Sequence, residues 1–387
     1  MKIAIMMRPM DQDSGFRAYT EALIDNMLKR DQENTYLLLY RLTKHFGRFA
    51  SYPNVKELLV KAPHKFLWDQ VAVPWTAWKE GADIIFNPKF SIPLISPKPV
   101  AMGLQEPAWW TEPQYYEKFD VLYEKIMVPL CVRRSVRIFP MSRFILEENR
   151  KVLKLPFENA TVLYAAPDKH FQPVEDPEAL ANFREKYHLP EKFILLVTRV
   201  DHPGLEGCTS FYPGKNPETA LRAFQKIRKQ IPHKLIFAGR RVRDYLICTE
   251  GENVDLEGVE FITFIPYEEL QMLYNAADLF VNPAPYEGCP NTVLQAMACG
   301  RPMVLADSGG SADVAEGAAL FAKARDDDDF AKKMFIALND EHLRQELKRK
   351  SLERSKIFWW EDVARLCIEG LVQGANKTKA PVAQVAG

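Results

Sequence analysis

Residues 286–310 read Y-E-G-C-P-N-T-V-L-Q-A-M-A-C-G-R-P-M-V-L-A-D-S-G-G, and the fold of the chain follows from how this stretch divides. The strand-like Leu279-Phe280-Val281 leads in. Pro283, Pro285 and Gly288 then break regular structure before Asn291-Thr292 open an apolar run with helical character. A loop that feeds a helix N-terminus presents unpaired backbone N–H groups, an arrangement suited to an anion. The strand 302–306 next enters Ser308-Gly309-Gly310-Ser311, a second glycine-rich turn with the same geometry.

Outward from this stretch, β-rich runs alternate with amphipathic runs along most of the chain, the pattern of a parallel sheet with helices on both faces. In the first half, strands are expected at 2–7, 35–40, 55–60, 82–86, 99–104 and 136–141. Helices are expected at 17–30, 66–79, 116–134 and 143–152, the last one capped by Ser142. Between 165 and 178 the pattern lapses into A-A-P-D-K-H-F-Q-P-V-E-D-P-E, which reads as a domain boundary. Strands then resume at 193–198, 234–238, 259–263 and 279–281, with helices at 217–230, near Asp244 and at 268–275. Residues 326–355 read as one helical run, a last helix reaches about 372, and 376–387 is a loose tail.

The totals agree with an α/β protein of two domains, since 387 residues exceed what one core usually supports. Lys plus Arg equals Asp plus Glu at 51 each, so no net field draws the chain to nucleic acid. No segment reaches the roughly 20 apolar residues that span a bilayer. The apolar run at the start is too short for a signal-peptide core, and export is not expected. Six scattered cysteines without a C-x-x-C pair argue for buried thiols in a reducing cytosol and against a cysteine metal site.

Several residues admit two readings from the letters alone. Thr292 and Gln295 have the spacing of a capping box, and Glu287 in isolation is an ordinary loop carboxylate. Trp109 and Trp110, beside Glu106 in the aromatic loop after strand 99–104, either grip a sugar ring or pack beneath the following helix. The run Asp326-Asp327-Asp328-Asp329 suits a helix N-terminus better than a metal.

The series Y-E-E-L at 267–270, L-Y-N-A-A-D-L-F-V at 273–281, the 286–304 segment and G-G-S-A-D at 309–313 resembles the donor-binding half of the retaining family 4 type glycosyltransferases. Weaker similarity extends over most of the chain, through S-G-F-R-A-Y at 14–19, R-I-F-P-M-S at 137–142 and F-W-W-E at 358–361. The resemblance implies the GT-B fold: two Rossmann-like, doubly wound domains facing across a cleft, with the C-terminal helix crossing back to the N-terminal domain. It divides the chain into an acceptor domain (1–170), a donor domain (171–357), the crossover helix (358–375) and the tail (376–387).

By the same resemblance Glu287 faces the donor sugar, and Arg199 and Lys215 neutralise the donor diphosphate. The implied donor-binding set is Gly15, Arg199, Lys215, Phe264, Ile265, Glu287, Gly288, Cys289, Asn291, Thr292 and Gln295. Gln105, Glu106 and Trp109 fall on the acceptor side. As negative charge grows on the leaving diphosphate, fixed cations stabilise it, so no metal or other cofactor is required. The implied partners are a nucleotide-sugar donor and a glycan, lipid-linked or small-molecule acceptor, in the synthesis of a polysaccharide or glycoconjugate. The implied place is the cytoplasm, with peripheral contact at the inner membrane face left open by Arg133, Arg134 and Arg137.

Three departures stand out. Gln295 occupies the place of a family glutamate that holds the ribose, and a glutamine offers one acceptor oxygen and an N–H₂ donor instead of two acceptors. Gln105-Glu106 replaces a His-Asp pair, and Ala165-Ala166 replaces Asn-Gly. The stretch 201–214 is longer than the family pattern and reads as a lid or an insertion. These departures keep two other readings in view: a sugar-nucleotide-binding subunit with little catalysis, and a phosphorylase or epimerase on the same fold.

Overall fold

The computed structural model describes residues 1–11, 15–200 and 213–377. The chain forms two compact units, one built from Met1–Ala165 and the helix Trp360–Lys377, the other from Ala166–Phe358.

The first unit holds a six-stranded sheet: β1 (Lys2–Met6), β2 (Thr35–Tyr40), β3 (Val55–Leu59), β4 (Ile84–Asn87), β5 (Val100–Leu104) and β6 (Arg137–Pro140), in the order β3-β2-β1-β4-β5-β6. All pairs are parallel, and Ile3 of β1 lies opposite both Tyr36 and Ile84. The second unit repeats the plan with β7 (Phe193–Val197), β8 (Lys234–Ala238), β9 (Val259–Ile262), β10 (Leu279–Asn282), β11 (Met303–Ala306) and β12 (Leu320–Ala322), in the order β12-β11-β10-β7-β8-β9. Each sheet thus places its first strand beside its fourth. The direction of winding reverses there, and the crevice beyond the strand C-termini at that point is where doubly wound folds take ligands.

The central strands are buried because both sheet faces are covered, whereas no residue of the edge strands β3 and β9 is fully buried. β4, β5, β10 and β11 are buried at every residue; β5 and β11 are apolar throughout, and β4 and β10 are apolar up to a closing asparagine, all without alternation. In the second unit Phe237, Val281 and Val304 pack with Leu221 and Phe224 of the helix Pro217–Ile227 and with Phe330 and Met334 of the helix Asp327–Asn339. The helix Trp360–Lys377 belongs to the first unit, where it packs along the helix Gly15–Arg30 and against β4 and β6. Tyr19 and Trp360 meet there with ring centroids 5.6 Å apart.

Some elements differ from the sequence expectation. The helix Pro177–Lys186 begins inside the proline-rich lapse. Asp176 caps it by accepting from Glu178 N at 3.0 Å and Ala179 N at 3.1 Å, and Pro177 occupies the first turn. The run 326–355 is two helices, Asp327–Asn339 and Glu341–Ser355, because Asp340 ends the first and caps the second through Leu343 N at 2.9 Å. Asp326 caps the first of these through Asp329 N at 3.0 Å, and Asp327 pairs with Lys226 at 2.6 Å, so this acidic run is engaged in capping and pairing. Ser142 caps the helix Arg143–Leu153 through Ile145 N at 3.1 Å. No described helix is long and apolar enough to cross a membrane.

Candidate active site

The switch point of the second unit lies between β7 and β10, and the chain leaving β10 builds the site. Asn282, the last residue of that strand, accepts from Ala284 N at 3.1 Å, which turns the chain sharply. Its amide also donates to Glu287 Oε2 at 3.0 Å. The other carboxylate oxygen of Glu287 accepts from the Lys215 ammonium. The Glu287 side chain is 9% exposed, whereas that of Lys215 is 31% exposed, so the pair sits at the mouth of the crevice with its carboxylate inside. Lys215 is placed by its neighbour Asn216, whose left-handed backbone (φ 49°) turns into the helix Pro217–Ile227. The Asn216 side chain donates to the Pro283 carbonyl at 3.1 Å and accepts from Thr219 Oγ1 at 3.0 Å, tying the lysine turn to the Glu287 loop.

The second glycine-rich turn closes on the first. Gly310 N donates to the Glu287 carbonyl at 2.6 Å, and Ser308 Oγ donates to the Pro285 carbonyl at 2.8 Å. A side chain at position 310 would put its Cβ 2.1 Å from the Gly288 carbonyl oxygen, so only glycine allows this approach.

The helix Asn291–Ala298 follows with Pro290 at its N-cap and no side chain capping it. The capping-box reading of Thr292 and Gln295 therefore does not hold. Thr292 lies inside the first turn, two residues past the N-cap, and Gln295 is a turn beyond. The Gln295 carbonyl oxygen instead accepts from the Tyr274 hydroxyl at 3.0 Å, and both side chains are buried. Burial raises the Tyr274 hydroxyl well above its ordinary value. Tyr267 lies beside the same glutamine, and its hydroxyl donates to Asp168 Oδ2 at 2.7 Å.

Of the expected donor residues, Lys215, Glu287, Gly288, Cys289, Asn291 and Thr292 share the turn and loop described above. Arg199 is exposed just past β7, and Phe264 (exposed) and Ile265 (half-buried) follow β9, on the C-terminal edge of the same parallel sheet. Gly15 opens the helix Gly15–Arg30 of the first unit. Ser14 and all but the last two residues of the 201–214 stretch lie outside the described residues, as does most of the 376–387 tail.

In the first unit, Gln105 accepts through its backbone carbonyl from Asn149 Nδ2 at 2.9 Å. Trp109 is partly buried against Phe90 (centroids 4.9 Å apart) and Tyr116 (5.9 Å). Sequence reasoning missed a cluster of charges at this unit's own switch point. Arg8 follows β1 and Lys89 follows β4. Arg8 pairs at 3.2 Å with Asp69, which is 1% exposed and also accepts from Ser91 Oγ at 2.8 Å. The Lys89 ammonium lies 5.5 Å from the Phe90 ring centroid, and burial lowers its pKa to about 8. Glu124, buried on the helix Lys118–Arg134, is raised by burial to about 7 against the opposing pull of Lys65, Lys89 and Arg8. Among the described residues, Asp69 Oδ1 and Glu124 Oε2 have no hydrogen-bond partner. A signal was present in the letters: Glu124 keeps the i, i+4, i+7 register of the inward-facing Val128 and Cys131, a position for an apolar residue.

Two parallel six-stranded sheets of one winding order make the GT-B fold. Residues 209–354 match the family model described as Glycosyl transferases group 1. The chain is 25% identical over 327 residues to the O-antigen chain mannosyltransferase B of Escherichia coli, covering 82% of this chain and 80% of that protein. It is also 25% identical over 261 residues to the serotype-specific mannosyltransferase WbdA of Escherichia coli, covering 65% of this chain but only 31% of WbdA. Among solved structures, sucrose-phosphate synthase from Thermosynechococcus elongatus has the same fold, with a TM-score of 0.71 at 17% identity over 98% of this chain and 100% of that one.

Proposed function

We propose that this protein is a retaining hexosyltransferase that moves a sugar, mannose in the first instance, from a nucleoside diphosphate donor to a hydroxyl of a glycan, lipid-linked or small-molecule acceptor without a metal. The observation that carries the reading is the Lys215–Glu287–Asn282 constellation at the C-terminal end of β10, beside the uncapped start of the helix Asn291–Ala298. Backbone N–H groups at that helix start and the cations Lys215 and Arg199 suit a diphosphate, and Glu287 suits the hydroxyls of the sugar next to it. The choice of mannose rests on the two mannosyltransferase relatives.

In the step proposed, the acceptor oxygen forms its bond to the anomeric carbon on the face from which the diphosphate departs. The carbon–phosphate-oxygen bond breaks with its electron pair going to the diphosphate, and the acceptor proton passes to a phosphate oxygen. Arg199 and Lys215 stabilise the charge as it develops. Glu106 and the buried carboxylates Asp69 and Glu124 give the first unit acceptors for the hydroxyls of the second substrate. Gln295, held by Tyr274, offers the ribose an N–H donor.

The test is nucleotide release from a panel of guanosine and uridine diphosphate sugars, with and without hydroxylated acceptors, and with chelator present. Acceptor-dependent release that persists in chelator, with an anomeric configuration in the product matching the donor, is the expected result. Saturable donor binding with no turnover on any acceptor would make the chain a sugar-nucleotide-binding subunit instead. If no donor in the panel bound, the assignment of the β10 crevice would be wrong.

A further inference from the structure

From two helix faces of the first unit we infer a surface that docks on an anionic lipid bilayer, a reading independent of the donor chemistry. The helix Lys118–Arg134 is apolar on opposite sides. Val128, Cys131 and Val132 point into the core, while Phe119, Leu122, Ile126 and Leu130, at spacings of three, four and four, point outward and are exposed. Phe119 is 77% exposed. A helix of a water-soluble protein ordinarily turns a polar face to solvent, so a second apolar face needs another explanation.

The neighbouring helical stretch shows the same feature. It runs as Lys65–Leu67, a wider π turn Trp68–Ala72 and Val73–Lys79 without interruption. Trp68, Val73 and Ala77 face the core, and Leu67, Val71, Trp75 and Trp78 face outward. Trp75 is 63% exposed, and its ring centroid lies 5.3 Å from that of Trp78.

The two helices are fastened to one connecting segment. Gln70 donates to the Ile92 carbonyl at 2.9 Å, and Cys131 lies within sulfur hydrogen-bond reach of the same oxygen at 4.0 Å. Gln70 also accepts from Leu94 N at 2.8 Å, and Arg134 Nε donates to the Leu94 carbonyl at 3.2 Å. Their inner faces enter a single core cluster, so their outer faces belong to one side of the unit.

Charge selects the occupant. Over 61–80 and 117–134 the exposed charged residues are Lys61, Lys65, Lys79, Lys118 and Arg133 against Glu117 and Asp120. Tryptophan and phenylalanine ringed by lysine suit the headgroup boundary of a bilayer, where the rings enter the acyl edge and the ammonium groups meet lipid phosphate. A second protein copy would bring the same positive rim against itself.

The experiment is flotation of the full-length protein with vesicles of phosphatidylcholine alone or mixed with phosphatidylglycerol. We expect flotation with the mixed vesicles, about tenfold weaker partitioning for the double variant Trp75→Ser, Trp78→Ser, and release by high salt. Ile126→Glu probes the other helix, so a folding defect in the tryptophan variant, seen by circular dichroism, leaves a second test in place. Three outcomes overturn the proposal: no flotation of the wild type, undiminished flotation of the folded variants, or a wild-type dimer that the variants dissolve while neither form binds vesicles.

Discussion

The Lys215 ammonium donates directly to the Glu287 carboxylate, so the cation expected to hold the donor diphosphate is already engaged by the group expected to face the donor sugar. A diphosphate entering this crevice competes with Glu287 for the lysine. Glu287→Ala should then tighten the sugar-free nucleoside diphosphate by up to about tenfold, through release of a charge-assisted bond, while transfer falls by about 10²–10³-fold. Calorimetry with the diphosphate and turnover with the full donor separate the two effects. Weaker diphosphate binding in that variant would contradict the competition.

Lys215→Ala should lose transfer by a similar factor and weaken the diphosphate. It also strips a buried carboxylate of one partner, with a cost of about 1–3 kcal/mol in stability. A denaturant melt reads that cost independently of turnover. An unchanged midpoint would mean that the pair is solvated in solution.

Gly310→Ala is expected to be disproportionately severe for one methyl group. Its Cβ would stand 2.1 Å from the Gly288 carbonyl oxygen, so the two turns must separate or the variant must unfold in part. We expect a loss of about 2 kcal/mol or more together with a weaker donor. Thermal denaturation and donor affinity should move together, and a variant that melts normally and binds donor normally would show that the turns part easily.

Gln295→Glu tests the ribose assignment, because the tyrosine that holds the glutamine can still donate to a carboxylate. A gain in donor affinity of up to about tenfold is expected from the added charge-assisted bond. Tyr274→Phe removes the buried donor and should cost about 1 kcal/mol in stability. If Gln295→Glu changed only the melting temperature, the residue would serve the packing of its helix and not the nucleotide.

The first unit should show a pH signature. Glu124 has an ordinary value of 4.5 and a folded value of about 7. Between those values the folded chain keeps a proton that the unfolded chain has lost, so stability falls as pH rises through the window, by up to about 3 kcal/mol. Lys89 works in the opposite sense: its ordinary value is 10.5 and its folded value about 8, so stability rises with pH between the two. Glu124→Gln should remove the falling limb, and its melting temperature relative to the wild type should increase from pH 5 to pH 7. A constant difference over that range would place Glu124 in contact with solvent.

Much of this architecture was legible because parallel strands are apolar without alternation and their turns carry glycine and proline. The 286–310 stretch reads as a loop, a helix, a strand and a second glycine turn, and the structure has them in that order. What it could not give was the contact between turns, since Gly310 reaches Glu287 through backbone atoms that any glycine-containing sequence has. The capping box at Thr292 fails because Pro290 takes the N-cap position two residues earlier, so that Asn291 and Thr292 are already helical. The helix Pro177–Lys186 was hidden by its prolines, although Asp176-Pro177 is itself a start signal. The charged cluster around Asp69 and Lys89 was harder to read for another reason: its members are brought together by the sheet from four separate elements, and only Glu124, a carboxylate in an apolar register, stands out in isolation.

The helix Trp360–Lys377 completes the first unit but follows the whole second unit in the chain. During synthesis the strands β1 to β6 therefore leave the ribosome without one of the helices that covers them, and β4 and β6 remain open along the face that this helix later occupies. The second unit ends at Phe358, so all of it is made before that helix and it can close first. Maturation of the first unit thus waits on the last helix to be made, which makes a truncated or stalled chain a product with a finished second unit and an unsealed first unit.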